Sequence, residues 1–174
     1  MIYYLSLGAN IGEREQTIQS AVELIEQQVG HVLRRSSFYY SEPWGFESPN
    51  PFCNLCCAVQ TTKQPLEVLS LTQAIERALG RKEKSSVINH QSSMTNDGNE
   101  VNRALAAEKC QMSNYTDRCI DIDLIRAFDE QGEEIKCEII NHKSQMSSVP
   151  LLSLPHPLWK ERDFVKVPLK EIMQ

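Results

Sequence analysis

Apolar and polar positions follow two rhythms along the chain. Residues 2–8, Ile-Tyr-Tyr-Leu-Ser-Leu-Gly, are β-branched, aromatic and aliphatic up to Gly8, the pattern of a strand. Over residues 13–29 the period changes. Ile18, Val22, Ile25 and Val29 recur at spacings of 4, 3 and 4, which sets them on one face of a helix. Glu13 suits its start and Gly30 follows its end. Residues 31–40 return to a strand pattern. The segment 41–51 carries Pro43, Gly45, Pro49 and Pro51 and reads as a loop. A third strand follows over 52–62. Pro65 then opens a helix to Gly80, with Val68, Leu71, Ile75 and Leu79 as its apolar stripe.

The pattern then breaks. Residues 82–114 are rich in Ser, Asn, Lys and Gln and nearly free of large apolar side chains. A loop this long inside a compact domain is unusual, and residues 100–110 could form a short helix within it. Residues 118–128 restore a strong strand, and 135–140 read as another beside it. The tail holds Leu-Pro-His-Pro, a short helix expected near 157–162, and Phe164-Val165. The order β-α-β-β-α-β predicts an α+β fold with a ferredoxin-like core. A mainly antiparallel sheet, extra edge strands and flanking helices are expected.

Composition narrows the partners. The chain has 174 residues, 18 Lys+Arg against 23 Asp+Glu, and a net charge of −5. One domain over 1–174 is expected at roughly 150 residues per domain. The acidity argues against nucleic acid or an anionic membrane as partner. The N-terminus lacks a basic segment followed by an apolar one, and no long apolar run follows, so a cytoplasmic location without a membrane span is expected. Cys53 and Cys56 form a Cys-x-x-Cys pair, but on a strand residues i and i+3 point to opposite faces. Together with Cys57 they read as small buried thiols.

Three features bear on chemistry. Asp121 and Asp123 stand two apart on a strand, so both carboxylates project to one side while Ile120, Ile122 and Leu124 face the core. Paired carboxylates suit Mg²⁺, which prefers a few carboxylates plus substrate phosphates. Arg81, Arg118, His156 and Arg162 form a dispersed set of cations whose guanidinium groups suit phosphate. The turn Gly8-Ala9-Asn10-Ile11-Gly12 precedes a helix but lacks a Gly-Lys-Ser/Thr continuation, so it is not a P-loop.

These residues fall into blocks that resemble the 6-hydroxymethyl-7,8-dihydropterin pyrophosphokinase family. The blocks are Ser6–Arg14, Ser37–Gly45, Pro51–Asn54, Ile75–Arg81, Asp117–Leu124, Leu154–Pro157, Glu161–Val165 and Pro168-Leu169. The resemblance covers nearly all of the chain outside 82–114 and 129–150. It implies transfer of pyrophosphate from ATP to the hydroxyl of the pterin, releasing AMP, in folate biosynthesis. By resemblance Asp121 and Asp123 hold two Mg²⁺ ions, and Arg81 and Arg118 join them as catalytic residues. Phe52 and Phe164 stack on the pterin, Asn54 reads its edge, and Ser41, Pro43, Trp44 and Gly45 line its loop. Without the resemblance, both phenylalanines read as core aromatics. Gln73, Glu76, Arg81, Arg118, Ser153, His156 and Arg162 match positions near the nucleotide.

Two departures stand out: Glu83 where the family often has a second arginine, and Tyr115 where it has a loop tryptophan. The segment 82–114 falls where the family has a loop that closes over its substrates. The resemblance further implies a monomer, and with the chain closing at Gln174 no fused partner is expected. Two other readings are a non-catalytic ferredoxin-like nucleotide-binding regulatory module and an RNA-binding module. The paired aspartates with Arg118 favour catalysis over the first. The acidity and the lack of a basic aromatic strand disfavour the second.

Overall fold

A computed structural model describes residues 1–81, 116–139 and 151–173. The polar segment 82–114, its candidate helix and Tyr115 lie outside the described residues. The chain runs β1 (Ile2–Ala9), α1 (Arg14–Gln28), β2 (His31–Arg35), β3 (Tyr39–Ser41), β4 (Phe52–Gln60), α2 (Pro65–Ala78), β5 (Asp121–Phe128), β6 (Cys137–Ile139), β7 (Leu152–Leu154) and α3 (Asp163–Ile172). The sheet order is β2-β4-β1-β5, with β3 also on β4, and every pairing is antiparallel. Taking β2 and β3 as one broken strand, this is the expected ferredoxin-like βαββαβ arrangement.

The break between β2 and β3 has a local cause. The Ser36 amide donates to the Cys56 carbonyl at 2.9 Å, and the Ser36 hydroxyl accepts the Cys56 amide at 3.0 Å. A side-chain oxygen thus takes the place of a backbone carbonyl, and the chain kinks while the two strands stay joined.

Each central strand divides its side chains between two faces. Tyr3, Leu5, Leu7 and Ala9 of β1, Cys53, Leu55, Cys57 and Val59 of β4, and Ile122 and Leu124 of β5 pack under α1 and α2. Ile18, Val22 and Ile25 come from the first helix, as expected, and Val29 from its C-cap. On α2, Val68 and Ile75 are buried, but Thr72 and Glu76 complete the face while Leu71 and Leu79 are only partly covered. On the opposite face Cys56, Ala58 and Ile125 pack beneath Val165, Leu169 and Ile172 of α3. The thiols of Cys53 and Cys56 therefore lie on different sides of the sheet, and both are free and fully buried.

The expected short helix near 157–162 is corrected to turns. The ring Nδ1 of His156 accepts the Leu158 amide at 3.2 Å, which diverts the first amide a helix there would use. Helical bonding starts only at Arg162, whose carbonyl accepts from Lys166 at 2.8 Å. Helix α3 was not among the expected elements, and it carries Pro168 in its interior.

Candidate active site

Helix α3 covers only part of its sheet face. The uncovered part is floored by Ser6 and Gly8 of β1, Phe52 and Asn54 of β4, and Asp121 and Asp123 of β5. Above this floor lies a cavity of about 370 Å³, walled by Ser41, Glu42, Trp44, Phe46, Arg81, Arg118, His156, Arg162 and Phe164. Strand register explains the floor: Ser6 pairs with Asp123, and Gly8 pairs with both Asp121 and Asn54. Directly paired residues share a face. A side chain at position 8 would start 3.1 Å from Asn54 Oδ1 and 3.7 Å from the Phe52 ring, so glycine keeps that corner open.

A β-bulge delivers His156. The β1–β5 register shifts between Tyr4 and Leu5, leaving Ile125 as the extra residue. The Ile125 carbonyl accepts the His156 amide at 2.8 Å, which pins the segment after the cis Leu154–Pro155 peptide over the sheet. Burial, and then the nearby Arg162, push the His156 pKa down to about 4. With Nδ1 accepting from Leu158, the ring is neutral and carries its proton on Nε2. The cation expected at His156 is therefore a neutral hydrogen-bond donor.

The arginines do converge. Asp121 is bonded through Oδ1 to Arg81 and through Oδ2 to Arg118. Arg162 Nη1 lies 3.8 Å from Asp123 Oδ2. Asp123 opens onto the cavity, but its low-dielectric walls and the adjacent Asp121 raise its pKa above the usual carboxylate range, opposed by the arginines. Glu76 is buried at the outer edge of β5 rather than lining the cavity. Its Oε1 accepts the Ile122 amide at 2.6 Å and also accepts from Arg81. Burial is the main cause that raises its pKa, to about 7.

The aromatic wall is built from cation–π and edge contacts. Phe52 meets Phe46 edge to face at 6.1 Å, and the Arg118 guanidinium lies 5.6 Å from the Phe52 ring. Arg162 stands 4.8 Å from Trp44 and 5.9 Å from Phe164. Asn54 spends its amide protons on Tyr39 O and Ser41 Oγ, each at 3.1 Å, which leaves Oδ1 as an acceptor beside Gly8.

Of the expected residues, Pro43 and Gly45 sit on the loop behind Trp44, Gln73 on α2 and Ser153 on β7; none of these lines the cavity. Sequence reasoning missed Ser6, Gly8, Glu42 and Phe46. For Ser6 and Gly8 a signal existed: they are the two small residues on a strand face otherwise carrying Ile2 and Tyr4.

The donor set fits a hard cation. It offers two carboxylates side by side, one of them held against its preferred charge by its surroundings. Among the described residues no cluster of three or more His, Cys, Asp or Glu could hold a metal, so further ligands would be phosphate and water oxygens, as Mg²⁺ prefers. Carboxylates for a cation, arginines for anionic oxygens and an aromatic shelf, all on one ferredoxin-like sheet, define a transferase of phosphoryl groups to a flat substrate.

The family follows from the sequence as a whole. The pattern of the 7,8-dihydro-6-hydroxymethylpterin-pyrophosphokinase family matches residues 4–92 and 88–174, and the chain belongs to that family. A 2-amino-4-hydroxy-6-hydroxymethyldihydropteridine pyrophosphokinase of Porphyromonas gingivalis is 38% identical over 98% of this chain and 90% of its own length. The protein of the same description from Bacillus subtilis is 31% identical, over 99% of this chain and 78% of its own. A solved structure described as HPPK-DHPS in complex with substrates matches 99% of the chain with a TM-score of 0.55 and 16% identity. This chain spans 40% of that one, and the likeness is one of fold.

Proposed function

We propose that the cavity transfers pyrophosphate from ATP to the hydroxyl of 6-hydroxymethyl-7,8-dihydropterin, releasing AMP, as a step of folate biosynthesis. The observation that carries this reading is the opposition, within one cavity, of Asp121 and Asp123 to Arg81, Arg118 and Arg162, beside Phe52, Phe164 and Asn54. Asp121 and Asp123 would hold two Mg²⁺ ions. Bound there, Mg²⁺ would supply charge neutralisation for the polyphosphate and would lower the pKa of an alcohol.

The chain's own residues do the positioning. Arg81, Arg118 and Arg162 draw the triphosphate to the acidic pair and offset the charge that builds on its oxygens. Neutral His156 adds a hydrogen bond from Nε2. The aromatic shelf of Phe52, Phe46 and Phe164 holds the pterin flat, and Asn54 Oδ1 accepts from its amide-like edge. Holding the hydroxyl in line with the β-phosphorus replaces a bimolecular encounter.

A single domain spanning 1–174, acting as a monomer in the cytoplasm, accords with this reading. Among the described residues no helix is long and apolar enough to cross a membrane. The test is AMP release from ATP with and without the hydroxymethyl pterin. Pterin-dependent AMP that disappears in Asp121→Ala is expected. No AMP at saturating Mg²⁺ would leave the regulatory-module reading in its place.

A further inference from the structure

The two walls of the cavity come from distant parts of the sequence, and one hydrogen-bonded cluster outside the cavity joins them. Asn10, just past β1, is almost fully buried, with 2% of its surface exposed. Its backbone amide donates to the Arg118 carbonyl at 3.1 Å, and its Oδ1 accepts the Arg118 amide at 2.7 Å. This extends the β1–β5 ladder beyond its last pair, Gly8 and Asp121, and holds Arg118 from both sides of its main chain. The Asn10 Nδ2 protons go to Asp117 Oδ1 at 2.6 Å and to the Asn50 carbonyl at 3.3 Å. Asp117 Oδ2 accepts from Asn50 Nδ2 at 2.9 Å, and Asp117 also bonds with Ser48. Asn10 thus uses both donors and its acceptor, so its amide can sit only one way round.

The two ends of this cluster matter. Arg118 contacts Asp121 and Phe52. Asn50 and Ser48 close the loop that presents Trp44 and Phe46 to the cavity. None of Asn10, Asn50 and Asp117 lines the cavity itself.

We propose that Asn10, Asn50 and Asp117 are positioning residues, a clasp that fixes the aromatic loop against Arg118 so that the pterin site is formed before the pterin arrives. The proposal rests on the pyrophosphokinase reading. The carboxylate is essential because it accepts from two amide groups at once. An amide at 117 can accept from Asn10 but then turns its own NH₂ against that of Asn50. Exchanging the pair restores complementarity, since a carboxylate at 50 accepts from an amide at 117.

The experiment uses the full chain and three variants: Asp117→Asn, Asn50→Asp and the double exchange. Pterin binding is followed by calorimetry, and hydrogen–deuterium exchange of residues 42–51 by mass spectrometry. Each single variant is expected to weaken pterin binding about 5- to 10-fold, the worth of one such hydrogen bond, and to speed exchange in the loop. The double exchange is expected to return both to within about twofold of the parent, a coupling that a loss of general stability does not produce. Single variants that bind pterin like the parent, or a double variant no better than its parts, overturn the positioning role. Unchanged exchange in the single variants overturns the clasp itself. A parent chain that binds pterin but forms no AMP refutes the pyrophosphokinase reading and leaves the clasp to the binding and exchange data. A parent that binds no pterin overturns both.

Discussion

Glu76 offers a perturbation whose size follows from its surroundings. Its carboxylate is buried at the outer edge of β5, where Oε1 takes the Ile122 amide at 2.6 Å and the Arg81 guanidinium. Ile122 lies between Asp121 and Asp123, so this one oxygen anchors the strand at the middle of the acidic pair. Glu76→Ala strands a buried amide, at a cost of about 1–3 kcal/mol, and removes about one packed methylene worth about 0.8 kcal/mol. The sum, roughly 2–4 kcal/mol, lowers the midpoint of thermal unfolding by about 5–15 °C in a chain of this size. Glu76→Gln keeps a carbonyl oxygen for Ile122 and relieves the burial of a charge, while Arg81 retains Asp121. Its loss of stability is therefore expected to stay within about 1 kcal/mol. Turnover should follow the same order. Freed from its anchor, the strand lets Asp121 and Asp123 drift, and a displacement of about 1 Å at reacting groups can cost about 100-fold in rate. The assays are thermal unfolding and pterin-dependent AMP release on both variants. A glutamine variant as unstable and as slow as the alanine variant would refute the reasoning, because charge rather than the acceptor oxygen would then carry the role.

Gly30→Ala places a methyl 2.3 Å from the Gln60 carbonyl oxygen and 2.7 Å from Thr61 Cβ, where backbone must yield. Urea unfolding should show a loss of about 1–3 kcal/mol, and an unchanged midpoint would mean the turn can open. His156 gives a pH dependence. Its folded pKa of about 4 lies below the usual 6.5, so the unfolded chain takes the proton first as pH falls. The stability that the neutral ring confers is complete above about pH 6.5 and declines toward pH 4, by roughly 1–2 kcal/mol after solvent screening. His156→Gln should flatten that part of the stability profile, and a parallel profile would refute the assignment. Burial pushes the Cys53 thiol up to about 11 and that of Cys56 up to about 12, and raises Cys57 as well. Alkylation at pH 8, mapped by mass spectrometry, should spare these three until denaturant is added.

The parts of this molecule that were legible in its sequence are those where one periodicity decides the outcome. Asp121 and Asp123 were placed on a common face because a strand repeats every two residues, and the α1 stripe followed from the helical repeat. On α2 the stripe was rotated, since Thr72 and Glu76 are buried through hydrogen bonds that hydrophobicity does not register. The kink at Ser36 was hidden because a hydroxyl stands in for a carbonyl. Charges were counted correctly, but protonation was not: the neutrality of His156 depends on a bulge at Ile125 and a proline-fixed segment that meet only in three dimensions. The resemblance named Ser41, Trp44, Phe52, Asn54, Arg81, Arg118, Asp121, Asp123, His156, Arg162 and Phe164, which line the cavity, together with Pro43, Gly45, Gln73 and Ser153, which do not. It could not tell that Glu76 works from the edge of β5, or that Ser6 and Gly8 form the floor.

The alternation of β5 also sets what kinds of change in length the chain can accept. A slip of β5 by one residue along β1 would present Ile122 and Leu124 to the cavity and drive both carboxylates under α1 and α2. The connections between elements carry no such parity. Related chains should therefore differ freely in the length of the segment after Arg81 and of that before Leu151, while the distance from Arg118 to Asp123 stays the same to the residue.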